Sequence, residues 1–119
     1  MSEERIKTML DAVKYIEKNY PQTARAFKSI QQDQYILFCR KQKDYGHHNL
    51  SLGGDMDKED DRGFAISGVI IRMHDKMSRM LNLVRKQLIP ENEPLEDAFQ
   101  DISIYGIIAR IIKEGSWGK

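Results

Sequence analysis

The segment between residues 66 and 88 constrains the fold most strongly, because it combines an apolar helical face with a stripe of charges. Its apolar residues recur every three or four positions, the period of an α-helix: Ile66, Val69, Ile70, Met73, Met77, Met80, Leu81, Val84 and Leu88. A polar set with the same spacing lies on another side of the helix: Arg72, Asp75, Lys76, Arg79 and Asn82. The apolar side predicts a helix anchored on a core, and the polar side predicts either a solvated surface or a binding surface.

Three further segments have a helical period, over residues 3–19, 21–42 and about 94–114. Proline separates the first two segments, and Gly115 follows the last one. The last segment carries more isoleucine than one narrow stripe can hold, so we expect its second half to be buried or to lie in a subunit interface. No segment shows the alternation that is typical of a β-strand.

The predicted fold is therefore an all-α bundle of about four main helices. Turn-forming and acidic residues fill the stretch 43–62, which predicts a long polar loop between helices two and three. With 119 residues the chain is long enough for one hydrophobic core, so we expect a single domain over residues 1–119. Within this domain, residues 1–37 are predicted to be packing helices, and the first helix shows no residues that indicate chemistry.

The composition excludes several functional classes. A formal net charge of +1 provides no general basic field, so we expect no binding to duplex nucleic acid. The single Cys39 excludes an intramolecular disulfide and fits a reducing cytoplasm. No apolar run approaches the length of a membrane span, and the first residues contain no apolar signal core. We therefore expect a cytoplasmic protein without a membrane partner.

Four carboxylates cluster at the start of the last predicted helix. Glu93, Asp97 and Asp101 are four residues apart and form one acidic stripe, with Glu96 beside it. The positive end of the helix dipole explains the acids of the first turn, but Asp101 lies beyond that turn and before a buried segment. A carboxylate there needs a partner, which is either a cation of the charged helix or a hard metal ion such as Mg²⁺.

Three motifs resemble, in their order along the chain, a family of small helical phage proteins called the nucleotide-modification-associated domain. The motifs are Asp44-Tyr45-Gly46 with Asn49; then Arg72, Asp75, Lys76 and Arg79 with Asn82 and Leu83; then Glu93, Glu96 and Asp97 with Asp101 and Tyr105. The resemblance covers roughly residues 38–113, and the family is similar in turn to MazG-type all-α nucleotide pyrophosphohydrolases. A phage-encoded protein of this kind is expected to act in the host cytoplasm.

The resemblance implies Mg²⁺-dependent cleavage of a nucleoside triphosphate to a monophosphate and pyrophosphate. The implied metal ligands are Glu93, Glu96, Asp97 and Asp101. The implied catalytic residues are Asp75, Asp97 and Asp101, and the implied phosphate ligands are Arg72, Lys76 and Arg79. Compared with the acid pairs of pyrophosphohydrolases, the charged helix here offers no second acid beside Asp75, and Asp97 and Asp101 are four residues apart rather than three.

The Asp-Tyr-Gly motif has two interpretations of equal weight. In one, Tyr45 stacks on a base and Asn49 forms hydrogen bonds with the nucleoside. In the other, the residues around Gly46 form only a tight turn.

Three functional hypotheses remain open at this point. The first is a nucleotide-handling enzyme with a pocket between the last two helices, and the second is a module that binds nucleotides or cyclic nucleotides without chemistry. The third is a structural oligomer in which all of the charges pair with one another. A homo-oligomer is expected under all three, because the last helix is apolar on more faces than one neighbour covers. A monomer is the alternative if helices one and two cover those faces.

Overall fold

A computed structural model describes all residues from Met1 to Lys119. The chain forms no strand and has five helices, α1 (Glu3–Asn19), α2 (Pro21–Tyr45), α3 (His48–Ser51), α4 (Glu59–Arg85) and α5 (Leu95–Lys113). The predicted helical class is therefore confirmed. The Ser2 hydroxyl accepts a hydrogen bond from the Arg5 backbone N–H at 3.1 Å, which caps α1. None of the helices is long and apolar enough to cross a membrane.

The connection between α2 and α4 is shorter than the polar loop that we expected over residues 43–62. Helix α2 continues to Tyr45, where Gly46 ends it with a φ of +71°, and the short α3 follows. Glu59, Asp60 and Asp61 form the first turn of α4. Negative side chains are stabilised at this end of a helix by its dipole, so part of the acidic run is a helix start rather than a loop tip.

The chain divides into two compact units, residues 1–37 and residues 38–119. The first unit contains α1 and most of α2, and Glu17 of α1 forms an ion pair with Lys28 of α2 at 3.3 Å. Helix α1 has no buried residue. The large apolar side chains of this unit are exposed: Ile6, Met9, Leu10, Val13, Tyr15, Ile16, Tyr20, Phe27, Ile30, Tyr35 and Ile36. The spacing of apolar residues thus predicted these helices correctly, but the apolar faces of the helices are not buried in this chain.

The second unit has a hydrophobic core built on the contact between α4 and α5, with α3 packed against α4. The buried core residues come from both long helices, from α3 and from the segments that flank them: Leu50, Met56, Ala65, Val69, Ile108, Ile112 and Trp117. Ile112 and Val69 are the largest apolar side chains that are fully buried. This core fixes α3, α4 and α5 relative to one another.

Helix α4 buries only a part of the apolar face that the sequence predicts. Val69 is fully buried, whereas Ile66 and Met73 are partly buried against the core. Met80 is partly buried as well, and the other α4 residues of this face are between 49% and 61% exposed: Ile70, Met77, Leu81 and Val84. Because α4 ends at Arg85, Leu88 lies beyond the helix. One neighbouring helix covers a narrow stripe of another, so α5 alone leaves the flank of α4 uncovered.

Substitution of Ile112 by alanine should test the core. Because this side chain is fully buried, I112A is expected to lower the free energy of unfolding by about 2–5 kcal/mol in chemical denaturation at constant protein concentration. The control I71A removes an isoleucine that is 62% exposed on α4, and it should change the free energy by about 0.5 kcal/mol or less. Equal effects of the two substitutions would contradict this description of the core.

Candidate functional site

A cavity of about 300 Å³ lies within the second unit, between the end of α2, α3 and the middle parts of α4 and α5. Its walls combine aromatic, amide, charged and aliphatic side chains: Phe38, Lys41, Gln42, Tyr45, Asn49, Leu50, Arg72, Asp101, Ile104, Tyr105 and Ile108. The volume falls at the lower end of the range for small-molecule sites, which are largely apolar with a few polar groups that orient the ligand.

Side-chain hydrogen bonds place α3 at the edge of this cavity. The Gln42 side-chain amide donates to the Asn49 side-chain oxygen at 3.2 Å, and the Arg72 guanidinium donates to the Asn49 backbone carbonyl at 3.5 Å. Gln42 also donates to the carbonyl of Gly46, which ties α3 to the end of α2. A helix of four residues is not stable by itself, so contacts of this kind determine where Asn49 lies.

Lys76 connects two of the predicted acidic residues. Its ammonium lies 3.0 Å from the Asp101 carboxylate and 3.3 Å from the Glu93 carboxylate. The hydrogen bond to Asp101 is the main cause of a pKa for Lys76 that is raised above the ordinary lysine value, and Glu93 adds to it, whereas partial burial opposes the shift. The ammonium therefore stays protonated at neutral pH and neutralises the charge of Asp101 beside the cavity.

The predicted nucleoside and phosphate ligands do not all lie at the cavity. Tyr45, Asn49 and Arg72 line it, and Lys76 lies behind Asp101. Arg79 is placed elsewhere: one of its guanidinium nitrogens donates to the backbone carbonyl of Glu93, and its Nη1 is buried without a hydrogen-bond partner. The interhelical ion pairing that the sequence left open as an alternative is thus present for Asp101 and Glu93.

The acidic residues fit a Mg²⁺ site poorly in this arrangement. Glu93 and Asp101 converge on the ammonium of Lys76, while Glu96 and Asp97 are exposed in the first turn of α5. No group of three His, Cys, Asp or Glu side chains in the chain is arranged to hold a metal ion. Asp75, a predicted catalytic residue, is exposed on α4 and does not line the cavity. The magnesium site and the catalytic roles stay predictions of the resemblance.

Sequence reasoning assigned no role to several residues of the cavity wall. Lys41 and Gln42 lie on the last turns of α2 and line the cavity. The sequence predicted that this helix ends at residue 42, so it did not place these two residues on one helix face with Tyr45. The missed signal was spacing, since residues 38, 41, 42 and 45 follow the i, i+3, i+4, i+7 pattern of a single helix face. Tyr105 was part of the resemblance but had no assigned function, and it lines the cavity as well.

No protein-family model matches this sequence, and no curated protein or solved structure is detectably similar to it.

Because of the Lys76 ion pairs, the stability of the fold should fall as the pH rises through the alkaline range. Because the folded-state pKa lies above the ordinary value of about 10.4, the stabilisation is complete at neutral pH and is lost as the pH rises through the folded-state pKa. K76M is expected to lower the free energy of unfolding by about 1 kcal/mol at pH 7, and the difference from wild type should shrink above pH ~10.5.

The matched control for this measurement is K86M, which removes an exposed lysine at the end of α4 that has no ion pair. A difference between K76M and wild type that stays constant from pH 7 to pH ~11 would contradict the assignment, since the charge of Lys76 would then not contribute.

Proposed function

We propose that the cavity of the second unit binds a small nucleotide. The observation that carries this proposal is convergence: Tyr45, Asn49, Arg72 and Asp101 come from the three separate motifs, and all four line the same cavity. Residues with purely structural roles in four different helices have no reason to meet around one space. A common ligand gives them such a reason.

The side chains around the cavity have the chemistry that a nucleotide requires. Lys41 and Arg72 supply cationic donors for phosphate oxygens, and the ion pair with Lys76 keeps Asp101 from repelling them. Tyr45 and Tyr105 offer aromatic faces for a base. The Asn49 amide carries both donors and acceptors, which suits the polar edge of a base or the hydroxyls of a sugar.

Hydrolysis is a further proposal that depends on the family resemblance. Among the predicted catalytic carboxylates Asp75, Asp97 and Asp101, only Asp101 lines the cavity, and its charge is compensated by Lys76. This arrangement favours nucleotide binding without chemistry over cleavage by a Mg²⁺-dependent pyrophosphohydrolase mechanism. The cytoplasm of a phage-infected host would supply nucleotides to either function.

Titration calorimetry with nucleoside mono-, di- and triphosphates and cyclic nucleotides, each with and without Mg²⁺, should test the proposal. We expect one class of nucleotide to bind wild type, and we expect R72A and K41A each to weaken binding about tenfold, because each removes a charge-assisted hydrogen bond. K43A is the matched control, since Lys43 is exposed two residues after Lys41 and does not line the cavity.

The outcomes of this titration separate the hypotheses. If no nucleotide binds, or if K43A weakens binding as much as K41A does, the cavity is not the site. Release of pyrophosphate from a triphosphate only when Mg²⁺ is present would establish hydrolysis. Binding that does not depend on Mg²⁺, without any product, would identify a binding module.

We also propose that the protein forms a homo-oligomer through the exposed flank of α4. Residues Ile70, His74, Met77, Leu81 and Val84 of this helix are spaced alternately by four and three positions along the chain. This spacing is the seam of a coiled coil, in which a second copy inserts the same residues between those of the first. A surface that pairs with itself in this way produces a dimer with twofold symmetry.

Multi-angle light scattering after size exclusion should show wild type with at least twice the mass of one 13.9 kDa chain. L81E places a charge in the seam, where Leu81 is half exposed in the single chain, so the variant is expected to fold and to run as a monomer. N82E is the control, because Asn82 lies outside the seam on α4. A monomeric wild type, or an unchanged mass of L81E, would refute this interface.

A further inference from the structure

We propose that Trp117 positions the wall of the cavity that α3 forms, from the tail that follows α5. This inference deepens the proposed function where it concerns ligand affinity. The placement of α3 itself does not depend on that function and is measured without a ligand. The two segments are 70 residues apart along the chain.

A direct contact joins Trp117 to the start of α3. The indole ring is buried, with 4% exposure, and its Nε1–H donates to the backbone carbonyl of His47 at 2.9 Å. His47 is the N-cap residue of α3, and its carbonyl also accepts from the Ser51 backbone N–H at 3.4 Å. The indole therefore holds the carbonyl on which the first turn of α3 is built.

The hydrogen bond from Trp117 is one of three side-chain hydrogen bonds that reach α3 and its N-cap residue from other segments. It measures 2.9 Å, whereas Gln42 reaches Asn49 at 3.2 Å and Arg72 reaches Asn49 at 3.5 Å. Because a four-residue helix is too short to be stable alone, its position follows from these contacts and from the burial of Leu50. Asn49 and Leu50, which line the cavity, thus depend on the indole.

Two glycines allow the tail to reach this position. At the end of α5 the Gly115 N–H donates to the Ile112 carbonyl and the Ser116 N–H donates to the Ile111 carbonyl, which is a Schellman motif with Gly115 at a φ of +83°. Gly118 has a φ of +76°, and a Cβ at that position would lie 3.0 Å from the ring of His47. A side chain at residue 118 would therefore be strained by the positive φ, and it would require the His47 ring to shift by a few tenths of an ångström.

Trp117 also contacts a second part of the cavity wall. Its ring meets the ring of Phe38 edge to face, with centroids 6.1 Å apart, and Phe38 lines the cavity. Because Trp117 is the only tryptophan of the chain, its fluorescence reports on this wall alone. We expect the emission of Trp117 to change when a nucleotide enters the cavity.

Hydrogen–deuterium exchange of the ligand-free protein tests the positioning role with W117F. This variant keeps an aromatic ring beside Phe38 but lacks the donor to the His47 carbonyl. Amides of residues 50–52, which donate to the carbonyls of His47 and His48, are expected to exchange about fivefold faster than in wild type. This factor corresponds to one lost hydrogen bond, while core amides of α4 and α5 stay unchanged. The control S116A alters an exposed neighbour in the same tail and should leave all of these rates unchanged.

The same variants are then titrated with the nucleotide that binds wild type. We expect W117F to lose protection locally and to bind the nucleotide more weakly. S116A should behave like wild type in both measurements. Unchanged exchange of residues 50–52 in W117F overturns the proposal. So does a uniform rise through α4 and α5, which would mean that Trp117 only stabilises the core to which it belongs. If wild type binds no nucleotide, the proposed function fails, and the exchange rates still decide whether Trp117 positions α3.

Discussion

The packing of α4 against α5 is the contact on which the second unit depends. Val69 of α4 and Ile112 of α5 are completely buried there, and burial of such side chains is the main favourable term in folding. The other parts of this unit are too short to fold by themselves: α3 has four residues, and the tail after α5 has no regular structure. Both acquire a fixed position only because the pair of long helices provides a surface for them.

The same pair of helices organises the charges beside the cavity. Lys76 of α4 reaches Asp101 of α5, so an acid and a base that are 25 positions apart become partners at 3.0 Å. Their pairing resolves the problem that a half-buried carboxylate presents, since an unpaired charge in such a place is unfavourable. It also changes the chemistry of the site, because a carboxylate held by an ammonium is less available to a metal ion, while Lys41 and Arg72 give the cavity wall a positive character.

Apolar surface that the single chain leaves exposed is the other prominent property of this protein. The stripes on α1 and on the flank of α4 have the period of packed helices, yet their side chains contact solvent. Helices of this length derive most of their stability from tertiary packing rather than from intrinsic propensity. Large amphipathic faces without cover are typical of surfaces that bind another protein molecule. The alternation of four and three positions along α4 is the basis of our proposal that a second copy of this chain covers that flank.

Local signals in the sequence were sufficient for the helices. The period of apolar residues, the Ser2 cap and the glycine after α5 depend on neighbours within one or two turns, and each of them is found in the structure. The loop over residues 43–62 was predicted less well, because acidic residues suit both a solvated loop and the first turn of a helix. Only the placement of α4 on the core distinguishes these two environments.

The sequence by itself determined the helical class and the polar stripes, including the acids that cluster at the start of α5. It did not determine which charges meet, because Lys76, Arg72 and Arg79 are equivalent in spacing and differ only in what the opposite helix presents to each of them. Tertiary structure decided that Lys76 pairs with Asp101, that Arg72 faces the cavity, and that Arg79 lies under the connection to α5. Tertiary structure also decided the contact of Trp117 with His47. A hydrogen bond between residues 70 positions apart produces no periodic pattern in the sequence, and it forms only when both segments are fixed on one core.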